Sequence, residues 1–581
     1  MGDFLAVLWL RTAEPEIATR SIVSARELRM DIAIRTLGML VAVHDTRTCM
    51  LDGTLGALVG ELHFRHGPAG AFDHSAEEIA RLTGFCRQDE HLDNCWGSFL
   101  LFHRSSPDGE LRIHHSPFST LCAYYVATPQ AVVIASDARI LSKVTGIPTS
   151  INWRTVASQL AFDNLNLRDT CLSDVQELRA GETILLRPDN APQVRLTWNP
   201  WTFSDPGQSI LVDDDAIELV ERELLRCVAA RTAAHSSAML DLSGGLDSSI
   251  LAATCRRVGA APRAVNLFSA LSEGDERGYA RAVAEHLGIG LSEAAAQAAS
   301  VDIERCASPG LARPHARSFV QEADRLTRAA APDATSFING GGGDAVFCHL
   351  QSSAPAVDAL RSAQADIGFL KAVHEVAAAA HCSFWVALRM ASVKSFSRLD
   401  GVRLVADPGF LLPEGIVAPA DDALPWPGPP RGIPPGKREQ VRALYSSIFN
   451  VAGFARSQDL TPVFPLLSQP LVEACLRVPS WKWVRQGHNR FLARRIAEKW
   501  LPRSVAWRGS KGGLGQLQRE IFRINRKTIR EMLLNGALQK QGLVDRAQLE
   551  AHLAISSDLV SDKHARLLRL CDFEAWIRHW H

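Results

Sequence analysis

Residues 237–257, "SAMLDLSGGLDSSILAATCRR", place a glycine-rich turn between a short apolar run and an amphipathic helical pattern. The apolar run predicts a strand, and the turn opens a helix. Free backbone N–H groups and the positive end of the helix dipole therefore meet at one point, which is a ready phosphate site. The stretch predicts an α/β sheet with a nucleotide site where this strand ends.

The residue types in "SGGLDSS" suit phosphate chemistry. Gly244 and Gly245 let the backbone approach an oxyanion without a Cβ in the way, because glycine carries no side chain. Ser243 and Ser248 add hydroxyl donors, and Asp247 puts a carboxylate where a magnesium ion bridging phosphates would sit. No Gly-Lys-Ser/Thr follows, so the turn is not a Walker A loop. A glycine turn capped by serine is the structural alternative.

The chain changes character near residue 205. Before it, short apolar runs such as "FLAVLWL" and "AVVIAS" alternate with Gly, Asp, Pro and Ser, which is typical of an antiparallel, β-rich domain. After it, long helical patterns alternate with runs such as "AVNLFSA" and "TSFI", which indicates an α/β domain with a parallel sheet and many helices. The prediction is a chain of two domains, 1–204 and 205–581.

Composition excludes several classes of function. The 63 basic residues balance 63 acidic ones, so no basic field favours nucleic acid as a partner. The 12 cysteines form no CxxC pair and no Cys/His cluster at metal spacing, as expected of reduced thiols in a cytoplasmic protein. The most apolar helical stretch, 373–393, never reaches about eighteen uninterrupted apolar residues, so we expect a core helix and no membrane span.

A second glycine-rich stretch is "INGGGGDAVF" at 338–347. Glycine loses more backbone entropy on folding than any other residue, so a favourable interaction must offset the cost of four in a row. The preceding "TSFI" and the following "AVF" predict a buried strand that ends in a tight turn, in preference to a flexible linker. We expect these glycines to allow a close approach between the backbone and a ligand.

The string "SGGLDSS" resembles the PP-loop of the ATP pyrophosphatases, which split ATP between the α and β phosphates and activate a substrate oxygen as an adenylate. Within that group the chain is similar to the asparagine synthetase class over most of its length. The similarity lies in "WGSFLLFHRSSPDGELRIHHSPFSTLCAYYVATPQAVVIASDARIL", "VQELRAGETIL", "FSALSEGDERGYARAVAEHLG", "GGGGDAVF" and "RFLARRIAEKWLPRSVAWRGSKGG". The resemblance implies an N-terminal Ntn-hydrolase-like glutaminase domain followed by a PP-loop synthetase domain.

Three departures from that class carry the most information. The family's glutaminase nucleophile is a cysteine directly after Met1, whereas this chain has Gly2, which has no thiol. The glutamate of the family's "GEGAD", which serves ammonia chemistry, is replaced by Gly341. The lysine loop "RGSKGG" is one residue longer than the family's, which shifts Lys511. We therefore expect a first domain that has lost glutaminase activity and a second domain whose ATP site is complete.

Because both missing groups serve ammonia, the nucleophile is expected to be an amine already present on the substrate. The resemblance is closest to lasso peptide cyclases, which join the α-amine of a peptide to an Asp or Glu side chain as a macrolactam. β-Lactam and carbapenam synthetases, which carry a tyrosine at the position of Gly341, are the alternative, followed by asparagine synthetase. An inactive peptide-binding scaffold is the non-enzymatic alternative. The implied partners are a precursor core peptide, a leader-binding protein and a leader peptidase.

The resemblance also implies ATP and Mg²⁺ as cofactors and assigns site residues. Asp247 and Asp344 would ligate the metal, although a helix N-cap is the structural alternative for Asp344. Lys511 would neutralise charge on the α-phosphate and at the acyl carbon, with Arg508 as the alternative. The residues that would contact ATP are Leu242, Ser243, Gly244, Gly245, Asp247, Ser248, Ser269 and Gly340. No residue is assigned as the base that deprotonates the amine.

Overall fold

The structure is a computed structural model of the chain. It describes residues 2–10, 14–51, 56–66, 72–88, 90–104, 109–128, 131–162, 164–187, 191–235, 237–269, 275–315, 320–396, 404–420, 424–454, 460–509, 515–554 and 563–581.

Two six-stranded antiparallel sheets form the first part of the chain. Their strands are β1 (Asp3–Leu8), β2 (Asp31–Thr36), β3 (Met39–His44), β4 (Thr48–Met50), β5 (Gly56–Phe64), β6 (Cys95–Arg104), β7 (Leu111–His115), β8 (Tyr124–Ala127), β9 (Val132–Ala135), β10 (Gln176–Glu177), β11 (Glu182–Leu186) and β12 (Gln193–Leu196). The strand orders are β10-β8-β9-β1-β3-β2 and β12-β11-β7-β6-β5-β4. The helices are α1 (Glu16–Glu27), α2 (Ala76–Gln88), α3 (His91–Asn94), α4 (Ala138–Thr145), α5 (Trp153–Ala161) and α6 (Pro200–Phe203).

Alternation along β1 shows how these layers are built, since successive side chains of a strand point to opposite faces. Phe4 and Leu8 enter the core between the two sheets. Leu5 and Val7 enter a second core, which includes residues of α1, α4 and α5. On the outer face of the other sheet, Leu82 of α2 packs against β5 and β6. The layers are therefore helix, sheet, sheet and helix.

A five-stranded parallel sheet dominates the second part of the chain. Its strands are β13 (Ala238–Asp241), β14 (Arg263–Ser269), β15 (Leu291–Ala296), β16 (Ser336–Ile338) and β17 (Thr461–Val463), in the order β15-β14-β13-β16-β17. Each neighbouring pair is parallel, so the carboxyl ends of all the strands lie at one edge. The loops that follow β13 and β16 meet at this edge.

The helices of the second part extend to the end of the chain. They are α7 (Asp213–Ala233), α8 (Leu246–Arg257), α9 (Arg277–Leu287), α10 (Val320–Ala330), α11 (Gly343–Val346), α12 (Ala354–Arg361), α13 (Phe369–Ala379), α14 (Phe384–Phe396), α15 (Pro435–Phe454), α16 (Gln469–Leu476), α17 (Phe491–Glu498), α18 (Arg503–Ala506), α19 (Gly515–Ile524), α20 (Arg526–Asn535), α21 (Ala537–Lys540), α22 (Arg546–Ala554) and α23 (Lys563–Trp580). The predicted fold class, antiparallel sheets followed by a parallel sheet with many helices, is confirmed. The domain boundary at residue 204 stays a prediction.

Ion pairs connect the two parts. Arg65, which follows β5, donates to both carboxylate oxygens of Glu473 on α16, at 2.7 and 2.9 Å. Arg313, which precedes α10, pairs with Glu177 of β10, and both side chains are buried. Because an unpaired charge is costly in a protein interior, each pair makes the two parts depend on each other.

The stretch 373–393 is not the single core helix that the sequence predicts. His381 adopts a left-handed backbone conformation (φ 52°), which ends α13, and α14 leaves at a bend of 119°. Trp385 is 74% exposed and Val393 is 63% exposed, so one face of α14 lies in solvent. No single helix in the described ranges is long and apolar enough to cross a membrane, although α13 and α14 pass that test as a bent pair.

Candidate active site

The turn after β13 has the geometry that "SGGLDSS" predicts. Gly244 has φ +79°, and a Cβ there would lie 2.7 Å from the backbone N of Ala280, so only glycine fits. Gly245 is the N-cap of α8. The hydroxyls of Ser243 and Ser248 lie 3.0 Å apart, which closes the turn. The free N–H groups at the start of α8 are thus collected at the sheet edge, as an anion site requires.

The four-glycine run packs on this turn. A Cβ at Gly340 would lie 3.0 Å from the backbone N of Ser248, and a Cβ at Gly343 would lie 2.6 Å from Cγ of Asp247. The run therefore allows the loop after β16 to approach the first turn of α8, which is a contact within the protein. The predicted approach of these glycines to a ligand stays a prediction.

This contact brings Asp344 beside Asp247. Asp344 lies inside the first turn of α11, and its N-cap is Gly342, which has φ +87°. The N-cap alternative for Asp344 is therefore wrong. Nδ1 of His349 lies 3.1 Å from Oδ1 of Asp344 and helps to orient it.

Arg490 joins the two carboxylates. Its Nη1 donates to Asp247 at 3.0 and 3.2 Å and to Asp344 at 2.6 Å. The Arg490 side chain is only 8% exposed, and its backbone is left-handed (φ 53°) at the N-cap of α17. One buried cation therefore compensates two negative groups that would otherwise repel each other.

Asp247 and Asp344 present hard oxygen donors of the kind that magnesium prefers, and Nη1 of Arg490 is the atom that both carboxylates approach. Among the described residues no group of three or more His, Cys, Asp and Glu side chains could hold a metal ion. A pair of carboxylates is the donor set of a magnesium ion that takes its other ligands from phosphate and water.

Arg508 borders the PP-loop. Its Nη1 donates to the carbonyl of Gly244 at 3.3 Å, and its Nη2 pairs with Glu276 at 2.6 Å. The guanidinium also lies over the ring of Tyr279, 3.8 Å from its centroid. Lys511 lies outside the described residues, so its assignment stays a prediction.

Arg494 fixes the chain that leads to this lysine loop. Its Nη1 donates to the carbonyls of Ala506 and Arg508, both at 2.9 Å. Burial, followed by the nearby charge of Arg490, lowers the pKa of Arg494 to about 10. The last described residue before the loop is Gly509.

Leu242 and Ser269, two of the residues expected to contact ATP, differ in their surroundings. The Leu242 side chain is fully buried, and its backbone N donates to the carbonyl of Val265 at 2.9 Å. That carbonyl in turn accepts from Nδ2 of Asn266 at 2.8 Å. Ser269 is the last residue of β14 and lies at the same edge as the PP-loop.

A polar link that the sequence analysis did not assign runs along the sheet edge. Nδ2 of Asn339 donates to Oδ2 of Asp241 at 2.8 Å, and Oδ1 of Asn339 accepts from the N–H of Gly341 at 2.7 Å. Burial raises the pKa of Asp241 to about 6, against a smaller opposing effect of the Asn339 hydrogen bond. The signal in the sequence is an aspartate inside the apolar run "AMLDL".

The space at Gly341 is smaller than the sequence suggests. A Cβ there would lie 3.1 Å from two ring atoms of Phe464 and 3.0 Å from Oδ1 of Asn339. Glycine removes a side chain at this position, but the Phe464 ring occupies one side of it. A larger residue would have to displace that ring.

Gly2 lies against backbone. A Cβ at this position would lie 2.2 Å from the carbonyl carbon of Asp45 and 2.2 Å from the carbonyl oxygen of His44. Gly2 also lines a cavity of about 120 Å³, together with Glu61 and Arg231. No β-carbon, and hence no cysteine thiol, fits this backbone position without a shift of the chain.

Comparison with known proteins supports the relationship over the second part of the chain. The asparagine synthase family profile matches residues 219–404 and 453–578, together more than half of the chain. No curated protein sequence matches.

Two of the solved structures that match this chain are weak likenesses. The allosteric regulatory enzyme of purine biosynthesis is 11% identical and covers 50% of this chain and 80% of its own, with a TM-score of 0.21. Glutamine phosphoribosylpyrophosphate amidotransferase from B. subtilis, complexed with ADP and GMP, is 10% identical and covers 59% and 82%, with a TM-score of 0.20. These scores are too low to carry an argument. The profile match, joined to the PP-loop geometry, establishes that the chain belongs to the asparagine synthase family.

Proposed function

We propose that this chain is an ATP-dependent carbon–nitrogen ligase that closes the macrolactam ring of a lasso peptide. In this reaction an Asp or Glu side chain of the precursor core peptide is adenylated and pyrophosphate leaves. The α-amine of the same peptide then attacks the acyl carbon, and AMP leaves. Membership of the asparagine synthase family supports ATP-dependent carbon–nitrogen ligation, and the finer substrate class is our inference.

The observation that carries the proposal is the backbone contact at Gly2. A Cβ there would lie 2.2 Å from backbone atoms of Asp45 and His44, so the position cannot hold the thiol that releases ammonia from glutamine. An amine carried by the substrate removes the need for that thiol. The helix, sheet, sheet and helix layers of the first part agree with an Ntn-hydrolase-like domain that is degenerate as a glutaminase.

The residues of the second part have separate roles in the adenylation. The N–H groups at the start of α8 and the hydroxyls of Ser243 and Ser248 would hold phosphate oxygens. Asp247 and Asp344 would hold Mg²⁺, which supplies charge neutralisation on the phosphates when it is bound. Arg490 holds the two carboxylates side by side, because its Nη1 donates to both. Lys511 would stabilise charge at the acyl carbon.

We infer that the nucleophile is a peptide amine and not the amine of a small acid. Gly341 has no side chain where β-lactam synthetases, by the resemblance, have a tyrosine, so a bulky nucleophile meets less obstruction there. A leader-binding protein and a leader peptidase are the partners we propose, since the peptide's α-amine must first be released from its leader.

The proposal is tested by incubating the protein with ATP, Mg²⁺ and leader-free peptides that carry a free α-amine and an internal Asp or Glu. We expect AMP and pyrophosphate in equal amounts and a peptide product lighter by one water. Asparagine formed from aspartate and ammonia, or a β-lactam formed from a β-amino acid, would assign the chain to one of the other synthetases. Peptide binding without AMP would indicate a scaffold.

A further inference from the structure

We propose that Asp241 is the general base that takes the proton from the attacking amine, an assignment that rests on the proposed ligase function. The carboxyl group lies at the carboxyl end of β13, the strand that leads into the PP-loop. Neither the PP-loop string nor the four-glycine run includes it. The assignment follows from the position of Asp241, from its hydrogen bond with Asn339 and from the ion pairs of three neighbouring carboxylates.

Register places Asp241 between the nucleotide edge and the glycine run. Asp241 pairs with Val265 of β14, and paired residues of parallel strands share a face. Ser269 lies four residues after Val265 on β14, so its side chain is on the same face of the sheet. On the other side, Asn339 links Asp241 to the N–H of Gly341. The carboxylate is therefore linked through Asn339 to the position where the amine is expected to enter, and it shares a sheet face with Ser269, which is expected to contact ATP.

Asn339 orients the carboxylate as an acceptor. Its Oδ1 accepts from the N–H of Gly341 at 2.7 Å, which turns its Nδ2 toward Asp241. The Nδ2 donates to Oδ2 of Asp241 at 2.8 Å. Asp241 is half-buried, and in the described part of the chain it makes no ion pair. A carboxylate that is held through one oxygen keeps acceptor capacity on the other for an ammonium proton.

The surroundings give Asp241 a suitable basicity. Met239, two residues earlier on the same face, packs with Val265 and Phe337, so the carboxyl group continues an apolar column. Desolvation there raises its pKa to about 6, and no charged side chain among the described residues contributes to this shift. A base with a pKa near neutrality is ionised at working pH and still accepts a proton well.

Three other carboxylates described at this edge already accept from arginine. Asp247 and Asp344 both accept from Arg490, and Glu276 pairs with Arg508. These groups are therefore less available to receive a proton than Asp241.

The step balances without a further reactant. The amine nitrogen forms a bond to the acyl carbon, and the bond from that carbon to the AMP oxygen breaks, with the electron pair leaving on AMP. One proton of the resulting ammonium passes to the Asp241 carboxylate and then to solvent.

The test uses the full chain with Asp241→Asn and compares two nucleophiles. With the peptide's own amine, ring closure should fall by about 10²–10⁴-fold, the usual contribution of a general base. Hydroxylamine is largely unprotonated at neutral pH, so trapping of the adenylate as a hydroxamate should stay within a few-fold of wild type. Asp333→Asn is the matched control, because Asp333 is exposed, precedes β16 and pairs with Arg263 away from this edge.

The pH dependence provides a second readout. In wild type the rate of ring closure from the bound peptide should fall as the pH drops through about 6, where Asp241 becomes protonated. Asp241→Asn should lack that limb, and Asp241→Glu should recover part of the rate.

Three results would overturn the assignment. Ring closure by Asp241→Asn at the wild-type rate would exclude Asp241 as the base. Equal losses of ring closure and of hydroxamate would indicate a role in adenylation or folding. No hydroxamate from either wild type or variant would overturn the proposed ligase function and this assignment with it.

Discussion

Replacing Asp241 with asparagine should stabilise the protein. The carboxyl pKa is about 6 in the folded chain, against an ordinary value of 3.8. A difference of about two pKa units corresponds to roughly 3 kcal/mol at about 1.36 kcal/mol per unit. Because the folded state binds this proton more tightly than the unfolded state, stability is lost as the pH rises from 3.8 toward 6. The ionised carboxylate therefore destabilises the native protein at neutral pH.

The asparagine side chain removes that cost. Asp241→Asn should raise the free energy of unfolding by up to about 3 kcal/mol at pH 8 and by about half as much at pH 5. Urea unfolding followed by tryptophan fluorescence measures both values. The control Asp333→Asn should show no gain, since Arg263 lowers the pKa of the exposed Asp333 carboxyl. A variant that is no more stable than wild type at pH 8 would refute the claim that Asp241 is held in a desolvated site.

Four further substitutions test separate parts of the account. Arg490→Ala leaves the two carboxylates facing each other without a compensating cation. The melting temperature of this variant in EDTA should be lower than that of wild type, and Mg²⁺ should raise the melting temperature of the variant more than that of wild type. An equal Mg²⁺ effect in both proteins would contradict this. Gly2→Cys should lower the melting temperature and release no glutamate from glutamine, because the new β-carbon meets backbone at 2.2 Å; glutaminase activity in this variant would contradict our interpretation of the contact. Arg313→Ala leaves Glu177 buried without its partner and should cost about 3 kcal/mol in urea unfolding. Since burial raises the pKa of Glu177, that loss should grow as the pH rises above the ordinary range of a glutamate, and a pH-independent loss would disagree. Gly341→Tyr should slow ring closure more than ATP–pyrophosphate exchange, and equal losses would mean that the tyrosine only disrupts local packing.

Local sequence was enough to predict the PP-loop and the strand that precedes it. Gly244 needs φ +79° and Gly245 caps α8, and such requirements leave a recognisable string. The alternation of strands with helices likewise predicted the parallel sheet. These features depend on neighbours in the chain, which a sequence pattern reports directly.

Contacts between distant residues could not be predicted in this way. Arg490 lies more than 140 residues from Asp344, and nothing in "HNRFLARR" specifies that its guanidinium bonds both carboxylates. The break at His381 was missed because a left-handed residue other than glycine leaves no clear signal. Asp241 was visible as a charge in an apolar run, but its link to Gly341 through Asn339 required the sheet register.

In the proposed reaction the attacking amine belongs to the peptide itself. The direct test gives the wild-type protein ATP, Mg²⁺, ¹⁵N-ammonium and a leader-free peptide, with the same peptide N-acetylated in parallel, and analyses the products by mass spectrometry. We predict that the free peptide forms a ring without ¹⁵N, while the N-acetylated peptide supports ATP–pyrophosphate exchange but forms no ring. Incorporation of ¹⁵N as a side-chain amide in either peptide would contradict the account.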